Sequence, residues 1–103
     1  MKAFKAFDKN MKCRDFQFEV GKTYEEPKAS LCERGFHACE NPLDTLNYYD
    51  LTESRFAEVD LDATDEKHDD DSKRVGKRIE IKAELTLKDF IKASVAFLFA
   101  SNT

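Results

Sequence analysis

Residues 78–87 read RIEIKAELTL, a run in which polar and apolar side chains alternate without interruption. Successive side chains of a β-strand point to opposite faces of the sheet, so this run predicts a strand with one buried and one solvated face. A less regular alternation from Arg55 to Leu61 predicts another strand upstream. The polar stretch between the two, Asp62 to Gly76, is expected to form a long mobile hairpin connection.

After this strand the apolar spacing changes from that of a strand to that of a helix. The apolar positions at helical spacing are Leu87, Phe90, Ile91, Val95 and Leu98. Thr86 and Asp89 are spaced as a variant of the capping box, in which two side chains bond free amides at a helix start. A C-terminal helix is therefore expected to follow the strand.

Shorter elements are predicted nearer the N-terminus. One strand covers Ala3 to Phe7, and the alternation from Phe16 to Val20 predicts another. A short helix is expected from Pro42 to about Tyr49, because an Asn41 side chain can cap its free amides and Pro is tolerated in the first turn. Residues 1–103 thus predict one α+β domain with a small antiparallel sheet of about four to five strands, a short middle helix and a C-terminal helix.

Charge and hydropathy disfavour two classes of partner. The formal net charge is −4, which repels phosphate backbones, so direct nucleic-acid binding is disfavoured. The most apolar window, Ala93 to Ala100, is too short to span a bilayer, and the N-terminus lacks the apolar run and cleavage site of a secretory signal. We therefore expect a cytoplasmic protein without a membrane partner.

The residue types suited to metal binding lie close together in the sequence. An odd number of cysteines in a reducing compartment argues against disulfides. Cys13, Cys32, His37 and Cys39 have instead the ligand set of a closed structural zinc site, three thiolates and one imidazole. If the segment is extended, His37 and Cys39 share one face. We expect zinc to hold the domain together. Because four protein ligands leave no position for a water molecule on the metal, we expect the protein to bind a partner rather than to catalyse a reaction.

Two other interpretations of these residues stay open. The cysteines are also compatible with small buried hydrophobic residues, and His37 with a core histidine whose hydrogen bonds are satisfied. A cysteine nucleophile paired with His37 would make the protein an enzyme, although the sequence suggests no Asp or Asn that would orient the histidine.

An acidic run forms a second candidate site. Its candidate partner-binding residues are Asp60, Asp62, Asp65, Glu66, Asp69, Asp70 and Asp71. Such a run is usually a solvated loop, which is the alternative interpretation. A dense strip of carboxylates can also imitate the phosphate spacing of a nucleic acid and occupy a basic channel on a protein partner.

The order of several motifs resembles a small domain of unknown function found in phage and prophage proteins. The motifs are KAFKAFDKNMKCRDFQFEVGKTYEE (2–26), LCERGFHACENPLDTLNYYDL (31–51), SRFAEVD (54–60), DDSK (70–73) and IEIKAEL (79–85). The most specific part is FHAC followed two residues later by PLD. In that family the domain is often followed by short glycine- and alanine-rich repeats, which this sequence lacks.

A free-standing phage version of such a domain resembles a prophage-encoded anti-CRISPR inhibitor of the type II RNA-guided nuclease. The resemblance implies a stoichiometric inhibitor that acts in the host cell, binds the nuclease and blocks the loading of the guide or of the target DNA. We expect this inhibitor to be monomeric. The positively charged heteroduplex channel of that nuclease suits an acidic ligand. The rival interpretations are a phage accessory or structural module without inhibitory activity and an enzyme that uses Cys39 or His37.

Overall fold

The computed structural model describes residues 1–101. Its strands are β1 (Lys2–Phe7), β2 (Lys12–Cys13), β3 (Phe16–Gln17), β4 (Thr23–Glu25), β5 (Phe36–Cys39), β6 (Arg55–Ala63) and β7 (Lys73–Leu85). A 3₁₀ helix covers Pro42–Asn47, and the helix α1 covers Leu87–Ser101. Five of the strands form one antiparallel sheet in the order β4-β7-β5-β1-β6, which confirms the predicted α+β class.

Four strands of this sheet close into a ring. β1 pairs with β5 on one side and β6 on the other, while β7 pairs with both β5 and β6. Gly76 lies where β7 passes from one partner to the other, opposite Phe36 on β5 and Ala63 on β6. A Cβ atom on Gly76 would lie 2.3 Å from the carbonyl oxygen of Asp62, so this crossing requires a glycine.

Alternate positions of β1, β6 and β7 supply the main hydrophobic core. Its largest fully buried side chains are Phe7, Val59, Leu61, Ile79 and Ile81. The segment after β3 covers this core with Phe18, whose ring centroid lies 5.4 Å from that of Phe7. The alternation in β7 thus places its isoleucines where the sequence predicts them.

Both predicted helix starts are confirmed by their caps. The Oδ1 of Asn41 accepts a hydrogen bond from the amide of Leu43, although the helix that follows is a 3₁₀ helix and ends at Asn47 rather than near residue 49. At α1, the Oγ1 of Thr86 accepts from the amide of Asp89, and Oδ2 of Asp89 accepts from the amide of Thr86.

Helix α1 is held to the sheet by few side chains. Phe90 packs on Phe56 of β6 with ring centroids 4.7 Å apart, and Ser94 is the other buried residue of the helix. The rest of the predicted apolar set is exposed, namely Leu87, Ile91, Val95 and Leu98. None of the helices in residues 1–101 is long and apolar enough to cross a bilayer.

Two predictions about strand extent are wrong. The strand predicted from Phe16 to Val20 is limited to the two residues of β3, and the side chain of Val20 is 48% exposed. The amide of Glu19 there donates to the hydroxyl of Tyr24 rather than to a neighbouring strand. The predicted connection from Asp62 to Gly76 is also too long, because residues 62–63 belong to β6 and 73–76 pair with β5.

Candidate binding site

A cavity of about 560 Å³ opens between β1, β5, the 3₁₀ helix and the β2–β3 hairpin. β1 and β5 pair at a single position, Phe4 with Cys39, which leaves room between the two strands beyond it. The aromatic residues that line the cavity are Phe4, Phe16, Phe18, Phe36, Tyr48 and Tyr49. Small-molecule sites in proteins measure roughly 300–1,000 Å³ and have mainly apolar walls with a few polar groups, so this cavity has the size and lining of a binding site.

The side chain of Lys5 lines this cavity although it is only 7% exposed. Its Nζ donates a 2.7 Å hydrogen bond to the carbonyl oxygen of His37, and it lies 5.5 Å from the centroid of the Phe18 ring. Burial lowers the pKa of Lys5, and the neighbouring Cys13 offsets part of this effect. Lys5 therefore joins β1 to β5 where no strand pairing does.

Three of the four predicted zinc ligands line the same cavity, namely Cys13, His37 and Cys39. The sulfur of Cys13 accepts a 3.0 Å hydrogen bond from the hydroxyl of Tyr49. Cys39 is buried, and burial together with nearby carboxylates raises the pKa of its thiol to about 12. Cys32 is exposed and does not line the cavity, so the fourth predicted ligand lies outside it.

The His37 ring is engaged by its own loop. Its Nε2 accepts a 2.8 Å hydrogen bond from the amide of Cys32, which adopts a left-handed backbone with φ of 64°. A further hydrogen bond links the ring to the backbone of Gly35. Burial and the positive charges of Lys73 and Lys5 lower the pKa of His37 to about 4, so the ring is neutral at pH 7.

The structure brings these residues near one another without forming a metal site. In residues 1–101 no three His, Cys, Asp or Glu side chains are arranged to hold a metal ion. To bind zinc, His37 would have to release the Cys32 amide, and Cys13 would exchange the Tyr49 hydroxyl for the metal. Zinc at Cys13, Cys32, His37 and Cys39 stays a prediction.

Cationic side chains outnumber carboxylates around the cavity. The cations are Lys5, Arg14, Arg34 and Lys73, and the carboxylates are Glu26 and Glu33. The Nζ of Lys73 lies 4.3 Å from the centroid of the Tyr48 ring, a cation–π contact. In an acidic chain, this local excess of positive charge marks the cavity as different from the rest of the surface.

The acidic run divides into two groups. Asp60, Glu66 and Asp71 hold the fold: they accept hydrogen bonds from the N-terminal amine, the Leu31 amide and the Tyr48 hydroxyl, respectively. Within residues 1–101 no partner is found for the carboxylates of the other group, which comprises Asp62, Asp65, Asp69 and Asp70, and all four residues are exposed. Of the predicted partner-binding residues, only these four present free carboxylates.

Sequence reasoning missed Lys5 and Arg14 as site residues. A signal for Lys5 was present, because in the predicted first strand it shares a face with Ala3 and Phe7, and a lysine on an apolar face is unusual. No comparable signal exists for Arg14. It reaches the cavity through a tight hairpin in which Arg14 and Asp15 both have positive φ.

Comparisons with known proteins give a family-model match. The family model described as a domain of unknown function, DUF7666, matches residues 1–93. No curated protein and no solved structure matches the chain.

Proposed function

This chain belongs to the DUF7666 family, and we propose that it is a binding protein rather than an enzyme. The state of its candidate reactive groups supports this. The raised pKa keeps the Cys39 thiol protonated at pH 7, and a thiol is a far weaker nucleophile than a thiolate. The His37 ring is hydrogen-bonded to the Cys32 amide and to the Gly35 backbone, so it has no free nitrogen with which to activate a nucleophile.

The proposed binding surface is the connection between β6 and β7. The observation that carries this proposal is the set of free, exposed carboxylates at Asp65, Asp69 and Asp70, beside Asp71, which anchors the connection to Tyr48. Charges held on an anchored connection lose less conformational entropy on binding than charges on a free chain. A basic protein surface is the partner that such a strip complements.

The specific partner we propose is the type II RNA-guided nuclease of a host cell. The support is the motif resemblance to a prophage-encoded anti-CRISPR inhibitor, together with the acidic strip described above. Such nucleases hold their guide–target heteroduplex in a positively charged channel. On this proposal the chain works as a monomer in the host cytoplasm, and occupying the channel blocks nucleic-acid loading.

Cleavage of a target duplex by a purified type II nuclease, with and without this chain, tests the proposal. We expect inhibition at a one-to-one ratio and at least a tenfold loss of inhibition in Asp69→Lys/Asp70→Lys. Asp15→Lys/Glu25→Lys is the matched control, because both residues are exposed, carry the same charge and lie outside the acidic run.

Each result of this assay has a definite meaning. No complex with the nuclease would refute the choice of partner. Undiminished inhibition by the Asp69/Asp70 variant would refute the acidic surface while leaving the partner in place. A stable complex that leaves cleavage intact would favour the rival interpretation, a phage accessory module.

A further inference from the structure

We propose that the cavity between β1 and β5 binds a small anion with an aromatic body, that is, a phosphate or carboxylate group attached to a planar apolar ring. This site is independent of the nuclease, because none of the free carboxylates of the acidic run lines the cavity.

The arginines of the chain fall into two groups, those that pair with a carboxylate and those that line the cavity. Arg55, Arg74 and Arg78, which lie away from the cavity, pair with Glu84, Glu40 and Asp60, respectively. Arg14 and Arg34, which line it, have no carboxylate partner in the part of the chain that the structure describes. A guanidinium group binds phosphate and carboxylate through parallel hydrogen bonds, so two unpaired ones at a cavity rim favour an anion.

Two lysines that line the cavity, Lys5 and Lys73, also have no carboxylate partner within residues 1–101. Lys5 is nearly fully buried, and it bonds the carbonyl oxygen of His37 and the side chain of Cys13 but no carboxylate within residues 1–101. Lys73 has a ring contact but no ion pair within the same residues. Burying a positive charge without a counter-charge is costly, and a bound anion would supply that counter-charge.

Aromatic side chains form the wall on which the ligand body would rest. The ring of Phe16 packs against Phe18 at 4.6 Å and Phe36 at 5.7 Å between centroids, yet the side chain is still 39% exposed. On the other side of the cavity Tyr48 is 45% exposed. Exposed rings that are held by neighbouring rings offer a preformed surface for a planar group.

Isothermal titration of the full chain with small probes of known charge tests this inference. The anionic probes are phenyl phosphate and phenylacetate, the neutral probe is phenylacetamide, and the cationic probe is phenethylamine. We expect at least one anionic probe to bind at least tenfold more tightly than the neutral and cationic ones. The ratio of the two anionic affinities then distinguishes a phosphate from a carboxylate ligand. A titration with inorganic phosphate alone shows how much of the binding affinity the aromatic ring contributes.

Paired substitutions locate the binding. Arg14→Gln/Arg34→Gln removes two exposed charges and no ion pair that the described residues form, so the variant should fold and should bind the anionic probe at least tenfold more weakly. Lys28→Gln/Lys77→Gln removes the same charge from exposed residues outside the cavity and should change affinity by less than twofold.

Four results would overturn the inference. No binding of any anionic probe at millimolar concentration would remove the site, and equal binding of the neutral probe would remove the charge recognition. An equal loss in the Lys28/Lys77 variant would reduce the effect to net charge. Zinc held stoichiometrically by Cys13, His37 and Cys39 would fill the cavity with a different occupant.

Discussion

The hydroxyl of Tyr48 donates a 2.5 Å hydrogen bond to Oδ2 of Asp71 and thereby ties the residue after the 3₁₀ helix to the residues that precede β7. Asp71 also accepts from the side-chain amide of Asn47 and from the backbone amide of Lys73. Its side chain is only 4% exposed, so these donors replace most of the water that a free carboxylate would bind. One member of the acidic run is therefore a structural residue.

Removing the Tyr48 hydroxyl should destabilise the fold. Tyr48→Phe keeps the ring under Lys73 and deletes one hydrogen bond to a charged group, which is worth about 1.5–3 kcal/mol when buried. Because Tyr48 is half exposed, we expect a loss of about 1 kcal/mol in the free energy of unfolding, measured by urea denaturation at pH 7. Asp70→Asn, at an exposed carboxylate without a partner among residues 1–101, should stay within about 0.5 kcal/mol of the parent chain.

The same carboxylate should make stability depend on acid. Burial alone would raise the pKa of Asp71, but the hydrogen bonds from Tyr48, Lys73 and Asn47 outweigh it and hold the pKa below the usual value. A carboxylate with a depressed folded pKa stabilises the fold at pH values above its unfolded pKa, about 3.9, and loses that contribution as the pH falls through the folded pKa.

Comparing Asp71→Asn with the parent chain by urea denaturation across pH measures this contribution. The difference in unfolding free energy should be present at about pH 5 and should shrink below about pH 4. A difference that grows on acidification would contradict the assigned direction of the pKa shift.

Gly76, the glycine at which β7 passes from β5 to β6, should tolerate substitution poorly. In Gly76→Ala the new Cβ meets backbone atoms of Asp62 at 2.3 Å and 2.8 Å, and backbone cannot move aside as a flexible side chain can. We expect a loss of about 3 kcal/mol or failure to fold. Gly21→Ala is the comparison, because it meets no atom within 4 Å and has only the strain of its φ of 88°, about 1 kcal/mol.

Thr86 should control the stability of α1. Thr86→Ala removes the acceptor for the Asp89 amide and should cost about 1 kcal/mol. Because few side chains hold α1 to the sheet, we expect the loss to appear first as faster amide hydrogen exchange in residues 87–101. Lys92→Ala, at an exposed position inside the helix, serves as the control, and an equal effect there would exclude a capping origin.

Cys32 and Cys39 should react with thiol reagents at very different rates. In the arrangement of the structure, without a metal, Cys32 is exposed and should be labelled rapidly at pH 8, whereas Cys39 is buried with a thiol pKa raised to about 12 and should react only on unfolding. Cys32→Ser should therefore abolish the fast phase, and Cys39→Ser should leave it unchanged.

Labelling and elemental analysis together decide the zinc prediction. A closed site would give one zinc per chain, slow labelling of all three cysteines, and unfolding when a chelator removes the metal. Cys32→Ser and His37→Ala should then lose the metal. A fast Cys32 phase in chain purified without chelator, with no zinc present, would refute the predicted site.

The elements that were predicted correctly are those in which local pattern and burial agree. Alternation in β6 and β7 reflects one buried face, and the caps at Asn41 and Thr86 depend on residues within three positions of each other. Such signals need no knowledge of the rest of the fold. The local alternation predicted the buried isoleucines of β7, and the capping residues predicted both helix starts.

Elements that depend on distant residues were not predictable in this way. β5 has buried residues at Phe36, Ala38 and Cys39, so it lacks a clean alternation, and it pairs with residues 73–76 from a distant part of the chain. The cavity arises from the single pairing between β1 and β5, a feature of the closed ring that no local pattern encodes.

The pairing of β1 also bears on how the chain reaches its fold. Lys2 lies opposite Asp60 and Phe7 opposite Arg55, so the first strand finds its main partner only after more than half of the chain is available. Contacts between such distant segments slow folding, because a long loop must close before they form. During synthesis on the ribosome, residues 2–7 would lack their main partner until β6 emerges, which leaves this apolar N-terminal segment of the nascent chain exposed to misassociation.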